Sequence, residues 1–429
     1  MNDAPSRTEG STRQDPPRVL TADRRQLQWR TCDLEATLPP EHPARAIWSA
    51  LEKLDLSRFY EPIAARGSEP GRPAIDPRIL VALWLHATSQ GVGSAREVAR
   101  RCETDDAYRW ICGGVSVNHH TLSDFRVDHP EALDELMTQV LAVLAHAGLV
   151  ELRRTAQDGM RVRASAGAAS FRREKSLQAC LEAAREQVKQ AKREADQPDV
   201  QRTARERAAA EHAARQREER VTRALAELPR VRAAKETDKA REQARVSTTD
   251  PEARVMKMGD GGFRPAYNVQ LATDTESRVI VGVDVTNSGS DAGQMPPMLD
   301  DIEERTGRKP DEHLVDGGFT KLEAIDQAGA DGVTVYAPVP TPRKEGIDPH
   351  QPKAGDSETV AAWRQRMGTD EAKDIYKQRA ATAETVNADL RTWRGLDRFR
   401  VRGRGKVLSV VLWSAITYNL MRWIAAGVT

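Results

Sequence analysis

The sequence predicts an α/β fold: a mixed five-stranded sheet with flanking helices, preceded by an all-helical N-terminal domain and carrying a charged helical insertion. Three observations lead there. Apolar residues recur at helical spacing through residues 31–150. Ala, Glu, Arg, Lys and Gln dominate residues 171–246, with only sparse Leu and Val. Beyond that run, β-branched segments alternate with helical ones, as in a sheet covered on both faces.

The 429-residue chain can form two or three domains. Its mean hydropathy is −0.62, and 30% of its residues are charged, so a soluble protein is expected. With 65 basic and 64 acidic residues, the net charge of +1 argues neither for nor against nucleic acid; local patches decide that. Cys32, Cys102, Cys112 and Cys180 form no Cys-x-x-Cys pair, which disfavours a disulfide framework or zinc ribbon. His119, His120 and His129 show no standard metal-ligand spacing and read as turn and cap residues. The N-terminus resembles no secretory signal. Val407 to Val428 is long enough to cross a bilayer. Ser409, Ser414, Thr417, Asn419 and Arg422 interrupt it, so a buried helix is expected and no membrane.

Residues 1–30 are polar and read as a disordered tail, followed by a helical DNA-binding domain over 31–150 and a catalytic domain over 151–429. Pro43 can open a helix over Ala44–Leu54, and Asp76-Pro77 can cap and open the next. Ser94 with Glu97 has the spacing of a capping box. Short helices joined by tight turns suit a helix-turn-helix DNA reader and any small bundle equally. Arg96, Arg100, Arg101, Arg109 and Arg126 favour the former. Within the insertion, Leu177, Leu181, Val188, Val221, Leu225, Leu228 and Val231 suggest the thin seam of a hairpin turning near Asp196–Asp199. That hairpin is either a solvated spacer or a DNA clamp. Strands are expected over Ala266–Thr273, Val279–Val285, His313–Val315 and Val333–Pro338; residues 339–368 read as a mobile loop and Thr369–Trp393 as a long helix.

Three carboxylates stand out on these elements. Asp158 ends the run Gly148-Leu-Val-Glu-Leu-Arg-Arg-Thr-Ala-Gln-Asp158, Asp316 ends His313-Leu-Val-Asp316, and Glu384 lies on the long helix. Acids at strand ends stand on rigid supports, and Gly159 and Gly317-Gly318 permit close approach. Magnesium needs only a few carboxylates plus substrate phosphate, and two such ions can serve phosphodiester cleavage and joining. Asp-Gly is also an ordinary turn, which is how Asp260-Gly261 reads; Asp291 reads as a helix cap.

Thr249–Met258, Pro265–Gln270, Asp284–Asn287, Asp291–Met295, His313–Phe319, Tyr376-x2-Arg379-x4-Glu384 and Gly395–Gly403 together resemble bacterial insertion-sequence transposases of the DDE class. Pro73–Pro77 and Thr121–Arg126 resemble the helical amino-terminal domain of that family. The resemblance implies a ribonuclease-H-like core, with Asp158, Asp316 and Glu384 as catalytic triad and ligands of Mg2+ or Mn2+, two ions in all. It places Tyr376, Arg379 and Arg391 at DNA. It implies double-stranded DNA, element ends and target, as partner, a homodimer on DNA, and a cytoplasmic, nucleoid-associated bacterial protein. Two departures are Arg391 where a Lys is common, and Met160 where a Thr is common. The implied function is binding of terminal inverted repeats with strand cleavage and strand transfer. The alternatives are an inactive or repurposed DNA-binding protein, and a metal-dependent nuclease or phosphatase without strand transfer.

Overall fold

Proline and short polar caps set where the N-terminal helices begin. The computed structural model describes residues 33–66, 73–196, 203–342 and 346–427; the expected tail over 1–30 and the hairpin turn over 197–199 lie outside these. Helices α1 (Pro43–Leu51), α2 (Ser57–Tyr60), α3 (Pro77–Ser89), α4 (Ala95–Thr104), α5 (Asp106–Cys112), α6 (His119–Phe125) and α7 (Pro130–His146) follow in order. Proline opens α1, α3 and α7, where its missing N–H costs nothing. Asp76 accepts from Arg78 N at 2.8 Å, and Asn118 accepts from His120 and Thr121 N at 2.9 Å each.

The capping box at Ser94 does not form. Its side chain makes no cap bond, and Glu97 turns instead to Arg100 and Arg101, at 2.6 and 3.0 Å. Other arginines expected at DNA are also engaged internally. Arg109 pairs with Asp106 at 3.2 Å. Arg126 stacks 4.5 Å over Trp84 and donates to Gly93 O at 2.7 Å. Helical position alone could not separate a DNA-facing arginine from one that ties two helices together.

The chain then enters the sheet through β1 (Arg154–Arg163). Next come β2 (Phe171–Arg172), α8 (Glu174–Asp196), α9 (Ala204–Ala233), α10 (Asp238–Glu242) and β3 (Val246–Ser247). Antiparallel β2 and β3 join the two ends of this excursion. Leu177, Leu228 and Val231 of the expected seam form a small core with Ala224, Ala244 and Val246, and Leu225 packs against it; Leu181, Val188 and Val221 are not part of that cluster.

The remaining strands are β4 (Arg254–Lys257), β5 (Phe263–Asp274), β6 (Ile280–Thr286), β7 (Glu312–Leu314) and β8 (Thr334–Tyr336), with α11 (Met295–Thr306) and α12 (Leu322–Ala330) between them. The sheet has six strands rather than the expected five. The order is β4-β5-β1-β7-β8, with β6 also on β5. The extra strand arises because β5 is long: its first residues pair with β4 and its later ones with β6. β1 runs antiparallel to β5 and parallel to β7.

Three helices complete the chain: α13 (Glu358–Gly368), α14 (Asp370–Thr392) and α15 (Arg404–Ala425). The loop expected over 339–368 therefore contains a helix. Ser357 caps it through Val360 N, and Trp363 is fully buried with its indole donating to Ala337 O at 3.1 Å. α15 is long and apolar enough to cross a membrane, yet most of it is buried inside the protein. It packs on α3, α7 and β6. Asn419 serves the Ile280 peptide twice, accepting from its N–H at 2.9 Å and donating to its C=O at 2.8 Å. Arg305 of α11 reaches Asp134 of α7 at 2.6 Å, so the helical region and the sheet share one core.

His313 lies wholly inside this core, its ring between Thr155 Oγ1 at 2.7 Å and Gln157 Oε1 at 3.1 Å. Burial pushes its pKa from 6.5 to about 3. Burial and the neighbouring His42 hold His86 down to about 4. Below pH 6.5 the unfolded chain takes up protons that these native rings refuse. Stability is therefore complete above that pH and is lost as pH falls toward these values, by up to about 1.4 kcal/mol per pH unit for each ring. Urea melts at pH 7 and pH 5 should show this loss, and His313→Gln should shrink it by roughly half. An undiminished loss in the variant would refute the assignment.

Candidate active site

β7 stops pairing with β1 at Leu314, opposite Ala156. β1 continues along β5 as far as Arg163. Asp158 and Asp316 each stand two residues past that last parallel pair. They therefore share one register and one face of the sheet, on strands about 4.8 Å apart. Asp158 is thus not at the end of its own strand, as expected, but in the middle of β1. What ends beside it is the parallel half of the sheet. Asp316 is held by its turn: Oδ1 accepts from Gly318 N at 2.7 Å, capping a 3-10 turn over Gly317–Phe319.

α14 crosses the same face. Arg379 approaches Asp158 Oδ1 at 3.6 Å, and Asn387 donates to its Oδ2 at 3.0 Å. Tyr376 lies 5.9 Å from the Arg379 guanidinium. Arg391 is exposed and donates to Arg161 O at 3.3 Å. Met160, two residues after Asp158, is buried in the main core, so its departure from the more common Thr is absorbed by packing.

Glu384 behaves differently. It is exposed, and among the described residues it has no hydrogen-bond or ion-pair partner. Three residues separate it from Asn387, a rotation of about 60° off the face that meets Asp158. Among the described residues no three His, Cys, Asp or Glu side chains surround a point that could hold a metal ion. The structure brings the two aspartates together and leaves Glu384 apart.

A third aspartate approaches from the other side of the sheet. Asp291 is buried and accepts from Asn268 and Gln270 at 2.7 and 2.8 Å, and pairs with Arg161 at 3.0 Å. It is not the helix cap expected; Gln294 holds that position before α11. Gln157 extends the polar layer, donating to Gln270 at 2.9 Å and to Gln294 O at 3.1 Å. The sequence carried a signal for this layer. Asn268 and Gln270 alternate within the wholly buried stretch Pro265–Ala272 of β5, and buried amides require partners. Asn387 carried no comparable signal.

The electrostatics follow from this crowding. Burial raises the Asp158 carboxyl above its ordinary range; Arg379 pulls it down, and Asp316 and Asp291 push it further up. Burial also raises the Tyr376 phenol, with Arg379 opposing. The donor set is all oxygen, without thiolate or imidazole, and two carboxylates at one register repel each other. That pair fits a hard divalent cation, which prefers oxygen ligands and relieves such repulsion.

Gly159 is required by contact with the polar layer. A Cβ there would stand 2.2 Å from Asp291 Oδ1, 2.7 Å from Gln270 Nε2 and 2.9 Å from Asn268 Oδ1. Gly159→Ala should cost about 1–3 kcal/mol in chemical denaturation. In the Asp291→Ala background the same change should cost clearly less; strict additivity of the two would show that this clash is not the cause.

Comparison with known families agrees with this geometry. A family model described as a transposase DDE domain matches residues 230–420, which include Asp316 and Glu384. Another, described as a transposase domain, matches residues 32–128, the span of α1 to α6. Asp158 and most of the α8–α9 hairpin lie between the two matched stretches. No curated protein and no solved structure matches the chain. Both matched regions are those of transposases, one of them the DDE domain, and in this the chain is similar to insertion-sequence DDE transposases.

Proposed function

We propose that this transposase binds the terminal inverted repeats of an insertion sequence and carries out metal-dependent strand cleavage followed by strand transfer into target DNA. The observation that carries the proposal is that Asp158 and Asp316 each follow the last β1–β7 pair by two residues and lie close enough for the charge of Asp316 to raise the Asp158 carboxyl. An antiparallel trio β6-β5-β1 continued by parallel β7 and β8 supports a ribonuclease-H-like core.

Asp158 and Asp316 would hold Mg2+ or Mn2+, and Glu384, which stands apart from them in this structure, would complete the set when DNA is bound. When bound, such ions supply Lewis-acid polarisation of a phosphodiester and lower the pKa of water. The remaining roles belong to the chain. Asn387 holds the Asp158 carboxylate by donating to Oδ2, and Arg379 faces Oδ1 as an ion pair. The Arg379 Nε is buried without a hydrogen-bond partner, so part of its donor capacity is unspent and available to a phosphate after a small shift. Arg391, bound among the described residues to a backbone carbonyl alone, can exchange that contact for DNA. The Tyr376 hydroxyl has a raised pKa, which suits hydrogen bonding to phosphate rather than nucleophilic attack. A covalent protein–DNA intermediate is not part of this scheme. Pairing of two element ends calls for a homodimer on DNA, acting at the bacterial nucleoid.

The test is a supercoiled plasmid carrying the matching element ends, incubated with the protein and Mg2+. Joined products are expected. Cutting without joining would make the protein a nuclease, and binding without cutting would make it an inactive DNA-binding protein. Asp158→Asn, Asp316→Asn and Glu384→Gln should each slow cleavage by at least about 100-fold, roughly 3 kcal/mol of barrier, while DNA binding persists. Full-rate cleavage by Asp316→Asn would remove the site assignment.

A further inference from the structure

The α8–α9 hairpin is not simply solvated on all sides. A cavity of about 620 Å³ lies where α9 meets the segment 400–406 and the end of α6. Four of its cations come from separate parts of the chain: Arg220 from α9, Arg400 and Arg402 from the segment between α14 and α15, and Lys406 from the first turn of α15. Among the described residues none of these four makes a side-chain hydrogen bond or ion pair.

The acids lining the cavity are mostly engaged elsewhere. Glu219 pairs with Arg223 at 3.0 Å, and Glu227 pairs with Arg230 at 3.4 Å and also with Arg254. Asp250 accepts from the Tyr267 hydroxyl at 2.8 Å and from Gly403 N at 3.2 Å. Glu252 accepts from Arg404 N at 2.6 Å. Asp124 alone is exposed without such a partner.

The segment itself is built to present cations. Phe399 N donates to Arg163 O at 2.8 Å, and Arg398 bridges Arg163 in parallel, so the segment extends the end of β1. Phe399 is buried with its ring 6.1 Å from Tyr267, while Arg398, Arg400 and Arg402 are exposed. Arg398 sits on that bridge, and Arg400 and Arg402 follow where the chain bends, so all three are presented along one short exposed stretch. Opposite them, Arg220 is disfavoured in its charged form by burial, Arg402, Arg217 and Arg223. Cations gathered here from separate parts of the chain, and not paired with the acids beside them, suit a polyanion. The segment lies beside the end of β1, where five residues of that strand, about 17 Å, separate Arg163 from Asp158.

We propose that this cleft is a DNA backbone site: the helical hairpin and the 398–406 segment clamp the phosphates of duplex DNA leading away from the active site, without reading its sequence. The inference rests on the reading that the protein acts on DNA ends.

The test uses full-length protein and a fluorescent duplex lacking element ends, with affinity measured across a potassium chloride series. Arg220→Gln/Arg402→Gln should lower the slope of log affinity against log salt by about 1.8, since each phosphate contact contributes about 0.9. Arg220→Lys/Arg402→Lys should keep the slope, and all variants should melt with the parent. An unchanged slope in the Gln variant overturns the clamp. Stronger competition by polyglutamate than by duplex DNA of equal charge would assign the cleft to an acidic protein segment and overturn it too. Asp316→Asn separates the two proposals: it should retain the parental slope while losing cleavage. A clamp that fails beside intact cleavage leaves the active-site reading standing, and the reverse result leaves the clamp.

Discussion

The structure depends on one strand with two kinds of neighbour. β1 is held along its whole length by antiparallel β5, and along only its first residues by parallel β7. Where the parallel ladder stops, two backbone segments separate while their side chains remain at the same height. An aspartate at that height on each strand meets the other without any loop having to reach. α14 then covers this opening, and its Asn387 and Arg379 can act on Asp158 because the antiparallel ladder keeps β1 straight beneath them. The polar layer from Thr155 to Asp291 supports the same stretch from behind. It buries amides and an imidazole that are satisfied only while β1, β5 and β7 keep their register.

Much of this was legible in the sequence because it rested on periodicity and local chemistry. Asp76-Pro77 had to begin a helix, and the alternation after residue 263 had to be strands. The features that escaped are long-range. Nothing near Asp158 says that β7 ends opposite Ala156, so a mid-strand acid read as a strand end. Asp291 looked like a cap because caps are common for that residue type; its role is set by Asn268 and Gln270, more than twenty positions earlier. The helix over Glu358–Gly368 was hidden by the Pro- and Lys-rich stretch before it, and becomes clear only once Trp363 has a pocket. Glu384 came from the resemblance to a family, and its exposed position on α14 gives the fold no reason of its own to select it.

The near-zero net charge conceals strong local segregation. Most charged pairs of the α8–α9 hairpin lie within a helical turn of each other, as at Glu211–Arg215 and Glu219–Arg223, and such exposed pairs contribute little to stability. Arg220 stands outside that pattern. Charge balance over the whole chain and charge balance at a surface are separate quantities, and only the second governs what the surface meets.

The placement of α15 bears on the order in which the molecule is made. Its buried face closes a core with α3 and α7, which are synthesised more than two hundred residues earlier, and Trp413 completes the turn after α6 through Arg126 O. During translation the early helices emerge with that apolar face uncovered, and it stays so until residues 404–425 leave the ribosome. Proteins cut short by a frameshift or stop codon in the preceding gene sequence therefore carry an unsealed helical region that invites chaperones or proteolysis. The helical core is thus sealed by the last helix to be made.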